Sequence, residues 1–177
     1  MVRVLSCLML TALGLLAGCA PALNWREVEA VEGARWWFPC KPDRVERTVA
    51  IEGRPVPARL AVCDAQGASW STMALQFPGP AEAAQALEAA RLTLMMNLQA
   101  AERPQPAGLV MKAAAPQWLA GRRPDGEPVQ AAMQFRVQGR WLVQQVLMVN
   151  QAGDAGVWPP ALRSEALDTF FAGAMPR

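Results

Sequence analysis

The chain has no histidine and no tyrosine among its 177 residues, and these absences remove much of the usual chemistry of enzymes. Histidine is the commonest general base near neutral pH and a frequent metal ligand. The serines follow no Gly-x-Ser-x-Gly pattern, and no glycine-rich phosphate loop occurs. A serine paired with Lys41 or Lys112 is conceivable, but nothing in the spacing selects such a pair. We therefore expect no catalytic site, no metal site, no cofactor and no enzymatic activity.

An excess of charge is also missing. The 17 basic side chains fall to 16 without Arg3, which lies in a segment expected to be removed, against 15 acidic ones. Binding of nucleic acid needs a concentrated basic face. The near balance of charge therefore predicts that nucleic acid is not a partner.

Asp125 and Glu127 lack the spacing of an EF-hand loop and are predicted to lie in a solvated turn.

Long apolar runs are limited to residues 4–16, which end in the tetrad Leu16-Ala17-Gly18-Cys19. Thirteen residues are too few for a membrane-spanning helix, which needs about 20. A basic residue, a short apolar run and small residues are the layout of a secretory signal. The tetrad resembles the lipobox of bacterial lipoproteins. An alternative is a secreted protein in which Cys19 is incidental.

The lipobox resemblance implies a signal peptide over residues 1–18 and an acylated Cys19 as the first mature residue. Two or more acyl chains anchor a protein stably to a membrane. Ala20 follows the cysteine, whereas an inner-membrane lipoprotein of this family often has Asp there. The resemblance therefore predicts a lipid-anchored protein on the periplasmic face of the outer membrane, with the membrane contacted through the anchor.

Cysteine is scarce, with four residues, and the predicted processing leaves only Cys40 and Cys63 unassigned. The periplasmic side of either membrane is oxidising, and an even pair there is most simply a disulfide. A thiol nucleophile or a metal pair is the alternative. The two cysteines lack a Cys-x-x-Cys spacing, so we predict a Cys40–Cys63 disulfide.

The mature chain is predicted to consist of a lipidated tether over 19–33 and a single α/β domain over 34–177. Residues 140–149 are apolar on both sides of a strand pattern, which is typical of a central strand covered on both faces. Alternating and helical patterns define the other elements. They are a strand at 35–40, a hairpin at 45–62 around Glu52-Gly53-Arg54, a strand at 69–77, a helix at 81–101, a hairpin at 128–150 and a helix at 161–173.

This order of elements resembles the PsbP/Mog1-like family. The matching features are Phe38-Pro39-Cys40-Lys41-Pro42, Gly53, Gly139 and Phe170-Phe171. The resemblance implies an α/β/α sandwich, with an antiparallel sheet of about six strands and helices on both faces. Members of that family are mostly binding or assembly proteins, although a shared fold does not transfer a function.

Tryptophan is abundant, with seven residues. Adjacent residues of a strand point to opposite faces, so one of Trp36 and Trp37 is predicted to be exposed. Exposed aromatic residues mark partner surfaces, and burial in the core is the alternative. We predict a binding site that includes Trp36, Trp37 and Trp158, and a non-catalytic binding or assembly role with an envelope protein as partner. The alternative function is a carrier of a small apolar ligand between helix 81–101 and the sheet.

Overall fold

Nine strands and two helices form the described part of a computed structural model, namely residues 23–29, 31, 34–112, 115–150 and 162–172. The signal segment, Cys19 and Trp158 lie outside the described residues. Strands β1 and β2 form a small sheet, and β3 to β9 form a second sheet of seven strands. The elements are β1 (Arg26–Glu29), β2 (Arg35–Phe38), β3 (Asp43–Ile51), β4 (Arg54–Ala65), β5 (Ala68–Gln76), α1 (Pro80–Asn97), β6 (Ala101–Arg103), β7 (Gln117–Arg122), β8 (Pro128–Gln138), β9 (Trp141–Asn150) and α2 (Ser164–Ala172).

The predicted fold class is wrong. The described chain is mostly β, with a seven-stranded antiparallel sheet in the order β3-β4-β5-β9-β8-β7-β6 and a separate two-stranded sheet. It is not a sandwich with a layer of helices on each face, because one face is covered mainly by β1 and β2, together with the nine-residue helix α2. The PsbP/Mog1-like arrangement of about six strands is therefore not retained.

Two predicted features of the sheet are confirmed. Strand β9 is the fourth of seven strands, so the segment that is apolar on both sides is the central strand. Strands β3 and β4 form the predicted hairpin, in which Ile51 pairs with Arg54 across a two-residue turn. Glu52 and Gly53 both have positive φ, 49° and 74°, as the type I′ turn of such a hairpin requires.

Helix α1 packs on one face of the main sheet and is shorter than the predicted 81–101. It begins at Pro80, where a missing N–H has no cost, and ends at Asn97. Its buried residues are alanines, which bring its axis close to Leu75 and Leu142. Gln99 then takes a positive φ of 44°, and the chain enters β6 instead of continuing the helix.

The opposite face of the main sheet carries an aromatic core. Trp70 of β5 is fully buried, and its ring meets that of Phe170 in α2 edge to face, with centroids 5.2 Å apart. The Phe38 ring of β2 also meets Phe170 edge to face, at 5.8 Å. The small sheet and α2 therefore share one core with β5.

The folded domain begins earlier than the predicted boundary at residue 34. Strand β1 lies within the segment predicted as a tether, and Val28 and Val31 are buried in the core. The backbone N–H of Asn24 donates to the carbonyl of Pro39 over 2.8 Å. Pairing with β2, which local patterning of residues 19–33 does not show, orders this segment.

Cys40 and Cys63 form a disulfide, with Cα atoms 6.1 Å apart, so the predicted pairing is confirmed. Cys40 follows the small sheet, and Cys63 lies in β4 of the main sheet. The covalent bond therefore fixes the two sheets to each other. Within the described residues, neither helix has the length and apolar character needed to cross a membrane.

Candidate binding surface

Strand β2 places two of the three tryptophans of the predicted binding site, Trp36 and Trp37, on opposite faces of the small sheet. Trp36 is 5% exposed and belongs to the core, where it lies opposite Val28 of β1. Trp37 pairs with Glu27 on the other side of the small sheet and is only half-buried. The alternation therefore gives one anchoring ring and one accessible ring, and the accessible one is Trp37. Trp158 lies outside the described residues.

The outer side of the small sheet combines this ring with a pair of opposite charges. Arg35 donates to the carboxylate of Glu27, next to Trp37 in the sheet. This hydrogen bond and the attraction of the carboxylate raise the pKa of Arg35. Aromatic residues and arginine are among the residue types enriched at protein interfaces.

A groove of about 360 Å³ lies between the small sheet and the β3–β4 hairpin. We call it the N-terminal groove. Its buried residues are apolar, whereas Glu29, Arg44, Glu46 and Arg59 are exposed charged residues at its rim. Glu46 and Arg59 form an ion pair at 3.1 Å. The residues that line the groove are Val28, Glu29, Trp36, Arg44, Val45, Glu46, Arg59, Leu60 and Ala61.

Arg59 connects this groove to a second hollow of about 300 Å³ near the β8–β9 turn. Its guanidinium carbon lies 5.2 Å from the ring centroid of Trp141, and that of Arg140 lies 6.0 Å from the same ring. Trp141 itself is only 4% exposed and belongs to the same core cluster as Trp70. Trp141 is therefore held beneath cations and is not an accessible aromatic residue.

Sequence reasoning missed the charged rim. Three of its members, Arg44, Glu46 and Arg59, alternate with apolar residues along β3 and β4. A hairpin pattern alone identifies such positions only as one side of the hairpin. They form a rim because the small sheet lies over the same face of the β3–β4 hairpin. The Cys40–Cys63 bond is the sequence signal that could have indicated this proximity, because it joins the segment after β2 to β4.

The sequence raises two other kinds of site for the described residues, a metal site and a cavity between α1 and the sheet. Among them, no group of three or more histidine, cysteine or acidic side chains is placed to hold a metal ion. The N-terminal groove and the hollow beside Trp141 lie away from the contact between α1 and the sheet, and so does a third cavity of about 360 Å³ lined by Pro104 and Trp118. That contact is filled by Ala83, Ala86 and Ala90.

Comparison with known proteins finds no counterpart: no family model, no curated protein and no solved structure matches the chain. Function is therefore inferred from its own residues.

Proposed function

We propose that the protein is an exported lipoprotein, anchored through Cys19 to the outer membrane and facing the periplasm, whose domain binds an envelope protein without catalysis. The Leu16-Ala17-Gly18-Cys19 tetrad supports the anchor. The disulfide between Cys40 and Cys63 supports export, because such bonds persist in oxidising compartments.

The anchor would hold the domain close to the bilayer. Leu23 is half-buried against the core, and it is the fourth residue after Cys19. Four residues span at most about 14 Å when fully extended. The end of the domain that carries Asn24 and Pro39 would therefore lie next to the lipid headgroups, with the surface around Trp37 nearby on the small sheet.

The observation that carries the binding role is the exposure of Trp37 beside the buried Trp36. Folding gains little from a large ring that stays partly in water. At an interface the same ring contributes apolar area with little loss of side-chain freedom, and truncating a central aromatic residue typically costs about 2 kcal/mol or more. Removal of the Trp37 ring should therefore weaken binding and leave the stability of the domain nearly unchanged.

Formaldehyde crosslinking in intact cells tests this role. Trp37→Ala should weaken the crosslinked species several-fold and leave the thermal midpoint nearly unchanged, whereas Trp37→Phe should retain most of the crosslinking. Trp36→Ala is the matched control and should lower stability. An unchanged crosslink yield in Trp37→Ala would contradict the proposed site.

Palmitate labelling tests the anchor separately. Cys19→Ser should abolish incorporation of labelled palmitate and leave an unprocessed precursor. Cys7→Ser, a matched change within the predicted signal peptide, should label normally. Normal labelling of Cys19→Ser would refute the lipoprotein assignment.

A further inference from the structure

Strand β3 is a long and accessible edge of the main sheet. It is first in the strand order, has nine residues and pairs with β4 on one side. Its first six residues, 43–48, are all exposed. Such an edge is a template for pairing with another strand, and proteins commonly protect it.

The hairpin geometry identifies which backbone groups of β3 point outward. Ile51 and Arg54 flank a two-residue turn, so they exchange both backbone hydrogen bonds. Hydrogen-bonded and non-hydrogen-bonded pairs alternate along an antiparallel ladder. The odd-numbered residues of β3 therefore bond to β4, and Arg44, Glu46 and Thr48 direct their N–H and C=O groups away from the sheet.

The charges on this edge are self-complementary. The sequence from Asp43 to Arg47 reads acidic, basic, apolar, acidic, basic. In an antiparallel copy centred on Val45, each Arg44 faces Glu46 of the other copy, and each Asp43 faces Arg47. All four charges of each strand then meet an opposite charge. Opposite charges in cross-strand pairs are stabilising, and like charges are destabilising.

Neighbouring registers lose this match. Only shifts that keep even-numbered residues opposite even-numbered ones preserve the outward hydrogen bonds. The nearest such registers place Glu46 opposite Glu46 or Arg44 opposite Arg44. The next register towards the turn places Arg47 opposite Arg47. Charge therefore selects the register centred on Val45.

We propose that a second copy of this chain pairs with β3 in antiparallel orientation about Val45, so that the two main sheets form one continuous sheet. Val45 is 49% exposed and would meet its own counterpart at the two-fold axis. Glu46 already pairs with Arg59 at 3.1 Å, and its second carboxylate oxygen remains available to Arg44 of the other copy. The pairing does not depend on the lipid anchor or on Trp37.

Thiol crosslinking of the purified full chain in detergent tests the register. All variants carry Cys7→Ser and Cys19→Ser, so the introduced cysteine is the one thiol outside the native disulfide. With a mild oxidant, Val45→Cys should give a disulfide-linked dimer, because directly opposed residues of a non-hydrogen-bonded pair have Cα atoms about 4.5 Å apart. Arg47→Cys and Thr48→Cys should stay monomeric, since each lies roughly 14 Å or more from its counterpart. A dimer of Arg47→Cys, or no dimer of Val45→Cys, would overturn the proposal.

Sedimentation velocity tests the charge pairing. Asp43→Arg replaces two attractive pairs by repulsive ones and should weaken dimerisation about tenfold or more. The exchange Asp43→Arg with Arg47→Asp restores opposite charges and should recover the dimer. Circular dichroism confirms that each variant is folded. Pairing through β3 would be refuted by a parent chain that is monomeric, or by a dimer that Asp43→Arg does not weaken.

Discussion

The carbonyl oxygen of Leu98 lies so close to Gly121 that a Cβ atom on the glycine would approach it to 2.2 Å. The same oxygen accepts a hydrogen bond from the backbone N–H of Arg122 over 2.6 Å. The segment after α1 therefore contacts β7 backbone to backbone. Only glycine leaves room for this contact.

Gly121→Ala should lower the free energy of unfolding by about 1–3 kcal/mol, because the new methyl group meets backbone that cannot move without displacing the end of α1. Urea unfolding measures the change. Gly79→Ala is the matched control: its Cβ would meet the carboxylate of Glu82 at 2.9 Å, which is the far end of a flexible side chain. Equal stability of the two variants would contradict the close contact at Gly121.

The sequence predicts those parts of the fold whose pattern is local. Alternation along β3, β4, β8 and β9 indicates both hairpins, and apolar residues on both sides of β9 indicate its central position. Strand β6 has only three residues, and all of them are exposed, so it shows no alternation of buried and exposed positions. It forms because the turn at Gln99 delivers the chain to the edge of β7.

Only the local part of the candidate site could be predicted from the sequence. Strand alternation predicts that Trp36 and Trp37 lie on opposite faces, and β2 shows them so. The N-terminal groove could not be predicted, because it exists only where the small sheet lies over β3 and β4. That placement depends on contacts between distant segments, including Val28 of β1, whose neighbours Glu27 and Glu29 are both exposed.

Removal of the disulfide should destabilise the domain without unfolding its core. The double variant Cys40→Ala with Cys63→Ala should lose about 3 kcal/mol, on the loop-entropy model for a closed loop of this size. Urea unfolding with and without reductant measures this loss. Reductant should shift the parent protein by a similar amount and leave the double variant unchanged. Two freely alkylated cysteines in unreduced, denatured parent protein would contradict the bond.

The Glu88–Arg91 pair on α1 should make a small contribution to stability that disappears in acid. Arg91 donates twice to the Glu88 carboxylate, at 2.7 and 2.9 Å, and these bonds lower the pKa of Glu88 below its ordinary value of 4.5. A lowered folded-state pKa stabilises the protein above the ordinary value, and the contribution is lost as the pH falls through the lowered value.

Glu88→Gln should therefore be slightly less stable than the parent chain at pH 7, and the difference should shrink as the pH falls through the lowered pKa of Glu88. Urea unfolding at several pH values measures the difference. Gln85→Ala, a change on the same helix without a titrating group, should differ from the parent by the same amount at every pH. A Glu88→Gln difference that grows in acid would contradict the sign of the shift.

Gln145 is a polar residue of the central strand, 1% exposed, and both ends of its amide are used. Its nitrogen donates to the carbonyl of Phe170 over 2.6 Å, and its oxygen accepts from Arg136. Phe170 belongs to the last turn of α2, where carbonyls have no partner within the helix. Burial disfavours the charged form of Arg136 and so lowers its pKa. The hydrogen bond that its guanidinium donates to Gln145 therefore matters more than it would at the surface. Gln145 thus caps α2 from the sheet.

Gln145→Leu keeps the volume of the side chain and removes both bonds. It should lower the free energy of unfolding by about 1–3 kcal/mol, because the Phe170 carbonyl loses its partner in the core and Arg136 loses its acceptor. Near-UV circular dichroism should also change, since Phe170 packs against Trp70. Gln144→Leu, one residue earlier and on the α1 face, keeps both bonds of Gln145 and is the matched control. If Gln145→Leu proved as stable as Gln144→Leu, α2 would be held by its apolar contacts with Phe38 and Trp70 alone.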